Sequence, residues 1–260
     1  MRGIQRQKRA ERLDVILQIG AHRTASTSFQ TYLRNNATAL AEISVGSWGP
    51  YRLRKGMCYG VVPNPALGVG PQHFARAKGK IALHLERSAQ VGLDYLIVSE
   101  ENILGKMRHN FSSQSLYPSA GERLARYVAA FDGSVKAIHL SLRCPSTYWT
   151  SALSFCIPRG VLVPREARIS AIAASTRSWR DVITDLAAAA PNTAIFVTTR
   201  VCAASLVILS VGVSCSTRQD IDMAQSTTYG AAAVEFAIGH RRIATPARKR
   251  SRHALGTVFA

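Results

Sequence analysis

The residues of this chain best suited to chemistry form one short stretch, Gly20-Ala21-His22-Arg23-Thr24-Ala25-Ser26-Thr27-Ser28. It follows an apolar run and precedes a helical pattern, so it joins a strand end to the positive end of a helix dipole and leaves several backbone N–H groups unpaired. A turn of that kind cradles anions, and the hydroxyls of Thr24, Ser26, Thr27 and Ser28 add donors. Phosphate is the natural guest. A Walker A loop would need glycine and lysine where the chain has Ala25 and Ser26. The cation stands inside the loop instead, at Arg23. A second polar group, Ser99-Glu100-Glu101-Asn102, stops another apolar run, as residues at the open end of a strand do.

Those residues need a scaffold, and hydrophobic periodicity supplies one. Residues 13–19 (LDVILQI) read as a buried strand ending at Gly20. Phe29, Tyr32, Leu33 and Asn36 then follow helical spacing, with Ser26 or Thr27 as the cap. Residues 45–71 are dense in Gly and Pro without a sustained period, which predicts a long irregular excursion. A helix over 72–91, a strand over 95–99, a helix over 121–131 and a strand over 135–142 follow, the last ending at Arg143. Pro145 suits the first turn of the next helix, an alanine-rich helix covers 166–190, and a fourth strand covers 193–199. Strands and helices alternate, so the expected fold class is α/β, a three-layer sandwich around a mostly parallel sheet. Residues 201–213 suit a strand and a buried helix equally, and periodicity is lost beyond them. The chain thus divides into a basic tail (1–12), an α/β domain (13–200) and a divergent segment (201–260).

Residues 20–30 (GAHRTASTSFQ) resemble the 5′-phosphosulfate-binding loop of the sulfotransferases, the bacterial and Golgi-like branch in particular. That loop commonly reads Lys-[Ser/Thr]-Gly-[Ser/Thr]-[Ser/Thr]; Arg23 stands where the family has lysine and Ala25 where it has glycine. Arginine keeps the charge but presents it as a planar fork, and alanine adds a Cβ where the backbone must approach an oxygen closely. The family also places an arginine at a later strand end and a serine eight residues on. Arg143 and Ser151 have that spacing and context, and Ser99 to Asn102 (SEEN) looks like the family's strand-end SSEN segment.

The resemblance implies a P-loop NTPase-like sulfotransferase fold, with 3′-phosphoadenosine 5′-phosphosulfate as co-substrate and no metal. It implies that Gly20, Ala21, His22, Arg23, Thr24, Ala25, Ser26 and Thr27 hold the 5′ side of the nucleotide, and that Arg143 and Ser151 hold its 3′-phosphate. Arg23 would stabilise charge developing on the leaving phosphate. A base must take the proton of an acceptor hydroxyl or amine; Glu101 is the first candidate, His22 the second and Glu100 the fallback. The acceptor itself, a glycan, a lipid or a small molecule, stays open.

Composition bounds the alternatives. With 33 Lys+Arg against 15 Asp+Glu, the formal charge is +18 over 260 residues, which favours an anionic partner. Part of that excess is terminal, at Arg2, Arg6, Lys8, Arg9 and Arg12 and again at Arg248, Lys249, Arg250 and Arg252. No helix-turn-helix, zinc-finger or RNP signature accompanies it, so a specific nucleic-acid partner is not expected. A hydrophobic content of 47% is too high for a disordered basic tail. Five cysteines without a Cys-x-x-Cys pair fit a reduced, cytoplasmic protein. The apolar run after the basic start is short and carries Asp14, unlike a signal peptide, and 201–213 falls short of the roughly 20 residues of a membrane span. Two other classes remain: a catalytically degenerate protein of the same fold that binds nucleotide or polyanion, and a P-loop kinase or NTPase, which lacks its Walker lysine here.

Overall fold

Alternation along the first strand sets up two faces. In β1 (Asp14–Gln18) the side chains of Val15 and Leu17, continued by Ile19, enter the main core, while Ile16 and Gln18 point to the opposite face. β3 (Tyr95–Ser99) repeats this with Leu96 and Val98 against Ile97 and Ser99. The computed structural model describes residues 13–201 and 205–211, all within one compact unit; the basic tail 1–12 and most of 201–260, including the 248–252 cluster, lie outside the described residues.

The other strands are β2 (Val45–Trp48), β4 (Val135–Arg143), β5 (Ala194–Val201) and β6 (Ser205–Val211). They form one sheet in the order β2-β3-β1-β4-β5-β6. The first five are parallel, and β6 runs antiparallel against β5. The fold class is therefore α/β. The helices are α1 (Ser26–Asn35), α2 (Ala37–Glu42), α3 (Pro50–Arg52), α4 (Pro71–Gln90), α5 (Met107–Ser113), α6 (Ala120–Ala130), α7 (Pro145–Cys156), α8 (Glu166–Ala173) and α9 (Trp179–Ala189). None of them is long and apolar enough to cross a membrane.

Helices cover the sheet on both sides. On the main-core side α4 meets α6 and α6 meets α9, burying Ala77, Ile81, Leu124, Val182 and Leu186. On the other side lies α1, whose Gln30 reaches Ser99 of β3 with its Nε2 donating at 3.1 Å. This second face is unusually polar beneath α1: Gln18, Ser99, Ser141 and Thr198 are all buried there. Two pairs bond to one another, Ser99 Oγ donating to Gln18 Oε1 at 2.6 Å and Thr198 Oγ1 to Ser141 Oγ at 3.2 Å, while Gln18 Nε2 has no partner among the described residues.

Three expectations need correction. Residues 45–48 are not irregular but form β2, because pairing with β3 satisfies their backbone even though Gly46 and Ser47 weaken the local pattern. The helix expected over 166–190 is two helices, α8 and α9, separated where Ser178 starts α9 with a capping box closed by Asp181. Neither Ser26 nor Thr27 caps α1; the cap is Ala25, in the left-handed conformation and without a side-chain bond.

Candidate functional site

A parallel sheet gathers the carboxyl ends of its strands along one edge. β1 leaves toward β2 on one side, while β4 leaves toward β5 on the other. The crevice between β1 and β4 is thus the topological switch point, where open α/β sheets bind ligands. The loop after β1 and Arg143 at the end of β4 both lie at this point.

The loop is pinned from below. Ala21 N donates to Ser141 O at 2.7 Å, and Thr24 Oγ1 donates to Ala21 O at 2.6 Å. Gly20 is closely hemmed in, since a Cβ there would lie 3.0 Å from both Gln18 Nε2 and Ser141 Cβ and would push them aside. Arg23 and Ala25 both take positive φ, 67° and 68°, on either side of Thr24. Left-handed residues alternating in this way turn successive N–H groups to one side, the geometry of an anion-binding nest. Among the described residues none accepts a hydrogen bond from the N–H of Arg23 or Ala25.

Arg23 and Ser151, 128 residues apart, are brought together: Arg23 Nε donates to Ser151 Oγ at 3.1 Å. The Arg23 guanidinium also lies 4.8 Å from the ring centre of Phe155, one turn further along α7. Arg143 Nη1 donates to Arg23 O at 3.2 Å and Arg143 Nε to Thr147 Oγ1 at 3.1 Å. Trp179 Nε1 holds the Arg143 carbonyl at 2.7 Å from behind. The two cations therefore share one corner with Ser151. Thr24 and Ser26 are buried, Thr24 spending its hydroxyl on the loop itself, whereas Thr27 is exposed on the first turn of α1.

His22 turns inward. Its backbone N–H donates to Tyr117 Oη at 3.0 Å, its Nδ1 lies 2.8 Å from the same oxygen, and its Nε2 lies 3.3 Å from Asn102 Oδ1. Tyr117 Oη also accepts from Tyr148 Oη at 3.2 Å, which accepts from Asn110 Nδ2 at 2.8 Å. With two bonds accepted, the Tyr117 proton goes to His22 Nδ1. The hydrogen of the imidazole then sits on Nε2 and is donated to Asn102. Burial lowers the His22 pKa and outweighs the opposing pull of Glu101 and Asn102, so the ring is neutral with its lone pair engaged in the core.

The acidic pair follows β3. Glu100 is buried and grips Arg54 with both oxygens, Nε to Oε2 at 2.8 Å and Nη2 to Oε1 at 2.6 Å, while Asn102 N donates to Oε1. Glu101 receives Arg54 Nη2 at 3.0 Å and Gln30 Nε2 at 3.1 Å. Burial pushes the Glu101 carboxyl up. Its own backbone N–H, Gln30 and the Arg54 charge pull harder, and the net shift is down. Glu101 is thus a carboxylate held beside the loop by Gln30, a residue of the helix that the loop begins.

Arg54, Asn102 and Tyr117 were not among the residues singled out from the sequence, and each positions one that was. Asn102 sat in plain view within SEEN; Arg54 lies in the stretch that reads as irregular, and Tyr117 has no motif around it. Among the described residues no group of three or more His, Cys, Asp or Glu side chains comes together. An open depression of about 420 Å³ lies elsewhere, lined by Glu122 of α6 and Asp185 of α9 among others. No family model matches the chain, and neither does any curated protein or solved structure.

Proposed function

We propose that the switch-point corner binds a nucleotide bearing a 3′-phosphate and a 5′-phosphosulfate, and that the protein is a sulfotransferase moving the sulfuryl group to an acceptor hydroxyl or amine. The observation that carries this reading is the meeting of Arg23, Arg143 and Ser151 at one corner, beside a loop whose amides are turned to one side. The sulfotransferase-like spacing of those residues assigns the roles. The loop N–H groups and Arg23 take the 5′-phosphate, and Arg143 with Ser151 takes the 3′-phosphate, which ATP lacks.

Transfer is in line: the acceptor oxygen or nitrogen bonds to sulfur as the bond from sulfur to the bridging phosphate oxygen breaks. Arg23 neutralises the charge that collects on the departing phosphate. Donors set in place beforehand are worth about 10²- to 10³-fold each in such steps. Glu101 takes the acceptor proton, as its carboxylate is ionised and is held beside the loop by Gln30 of α1. His22, with its lone pair on Tyr117, anchors the loop instead. An odd number of cysteines favours a reduced, cytoplasmic setting.

A second reading, a binder without turnover, is favoured by one feature: the left-handed cap of α1 carries the Cβ of Ala25 rather than glycine. Calorimetric titration with adenosine 3′,5′-bisphosphate tests the shared premise. Release of that nucleotide from the phosphosulfate donor in the presence of candidate acceptors separates the two readings.

A further inference from the structure

Four of the large aliphatic side chains left exposed fall in one short stretch after α7: Ile157, Leu162, Val163 and Ile169. Leu162 is 89% exposed and Val163 71%, and they are adjacent. Pro158 and Pro164 bracket them, and residues 161–165 have no regular structure, so the pair forms the tip of a stiffened loop. The helix that follows, α8, contains no buried residue. Exposed aliphatics scattered singly are ordinary, but a clustered tip on an unburied element marks a contact surface.

The charge around the tip says what it contacts. Residues 157–169 hold Arg159, Arg165 and Arg168 against one acid, Glu166. All three arginines are exposed. Arg108 of α5 donates to the Arg159 carbonyl, adding a fourth cation beside the loop. Exposed aliphatic side chains with exposed arginines on both sides of them in the chain match the boundary of a membrane, where headgroup phosphates lie over acyl chains.

We propose that residues 157–169 dock the protein on an anionic lipid surface, with Leu162 and Val163 entering the acyl boundary and Arg159, Arg165 and Arg168 pairing with headgroup phosphates. The loop is tied to the switch-point corner through Phe155, whose ring lies 4.8 Å from the Arg23 guanidinium and 3.6 Å from that of Arg159. The docking stands without the donor-site reading, and its test uses no nucleotide.

The full chain is mixed with vesicles of phosphatidylcholine containing phosphatidylglycerol, and with vesicles of phosphatidylcholine alone. The basic termini are attracted to the anionic vesicles in every variant, so comparison between variants isolates the loop. The Leu162→Ser/Val163→Ser double variant should bind anionic vesicles about tenfold or more weakly. The Arg159→Gln/Arg165→Gln/Arg168→Gln variant should bind anionic vesicles more weakly and with a shallower salt dependence than wild type, the remainder being the termini's share. A Leu162→Trp variant should show emission that shifts to the blue on anionic vesicles and is quenched by brominated acyl chains. Equal vesicle binding by wild type and the double serine variant overturns the proposal. So does Leu162→Trp emission that is already blue-shifted without vesicles, because the tip would then be covered by another part of the chain. Self-association lost in the double serine variant, or capture by a soluble acidic protein in place of vesicles, also overturns it. Circular dichroism of each variant confirms that these exposed substitutions leave the fold intact.

Discussion

Arg23 Nε donates to Ser151 Oγ at 3.1 Å across 128 residues of sequence. That bond joins the loop after β1 to the helix after β4, the two strands whose onward connections leave in opposite directions. The Arg143 guanidinium closes the same corner by donating to the Arg23 carbonyl. On the proposed reading, anion affinity at this corner is a shared property of both strand ends, and changes at either should be felt at the other.

The tautomer of His22 is fixed by its neighbours. Tyr117 Oη accepts two hydrogen bonds and has one proton to give, so Nδ1 of His22 is an acceptor and Nε2 carries hydrogen. Nitrogen NMR of the labelled protein near neutral pH should show an Nε2–H imidazole for His22. Tyr117→Phe should cost about 2–3 kcal/mol in urea unfolding, because the His22 N–H and the Tyr148 hydroxyl lose a buried partner together. An Nδ1–H resonance for His22 would contradict the network.

Buried histidine makes the fold sensitive to acid. Desolvation pulls His139 down to about 4 from its ordinary 6.5, and burial lowers His22 as well. Between those values the unfolded chain binds a proton that the folded His139 refuses. The stabilisation is therefore complete above pH 6.5 and is lost as the pH falls toward 4. Urea midpoints from about pH 7 to about pH 5 should show a loss on the order of 2 kcal/mol from His139. His139→Gln should flatten that slope; an unchanged slope would place the acid response elsewhere.

Arg54 bonds two carboxylates side by side, Glu100 at 2.6 Å and Glu101 at 3.0 Å. Its side chain is 50% exposed while that of Glu100 is 4% exposed, so removing the cation strands a charge in the interior. Arg54→Met should destabilise by about 2 kcal/mol, less than for a fully buried pair because water reaches one partner. Carbon NMR of the glutamates should show the Glu101 carboxyl titrating at higher pH in the variant. Arg54→Lys should recover only part of the loss, since lysine cannot make the two-pronged contact.

The left-handed cap at Ala25 carries strain that glycine would relieve. A side chain at φ 68° costs about 1–2 kcal/mol, and the entropy of an added glycine returns roughly half of that. Ala25→Gly should raise stability by about 0.5–1 kcal/mol in urea unfolding. A clear loss of stability would mean that the loop does not hold this conformation in solution.

Much of the scaffold was legible because burial leaves a period in the chain. The runs at 13–19, 95–99, 135–142 and 193–199 fall on β1, β3, β4 and β5, since alternate residues of each strand enter the main core. β2 was hidden because a strand of four residues with Gly46 and Ser47 inside it has no period; its pairing with β3 is a tertiary fact. The break between α8 and α9 did leave a sign, the Ser-x-x-Asp of Ser178 and Asp181, but the surrounding alanines drown it. The sulfotransferase resemblance singled out Arg23, Arg143 and Ser151, and the structure brings these three together. Arg54 and Tyr117 were not legible, because each works by reaching across the sheet edge to a residue 46 or 95 positions away. Local sequence carries no trace of such distances.

Nucleotide titration bears most directly on the central claim. Calorimetry of the full chain with adenosine 3′,5′-bisphosphate should show saturable binding that is much weaker for ATP. Arg143→Ala should weaken it about 10- to 100-fold, the worth of one or two hydrogen bonds to a charged group. Ser151→Ala should weaken it less. No binding by the wild type, or equal binding by wild type and Arg143→Ala, would contradict the assignment of the Arg23–Arg143–Ser151 corner as the donor site.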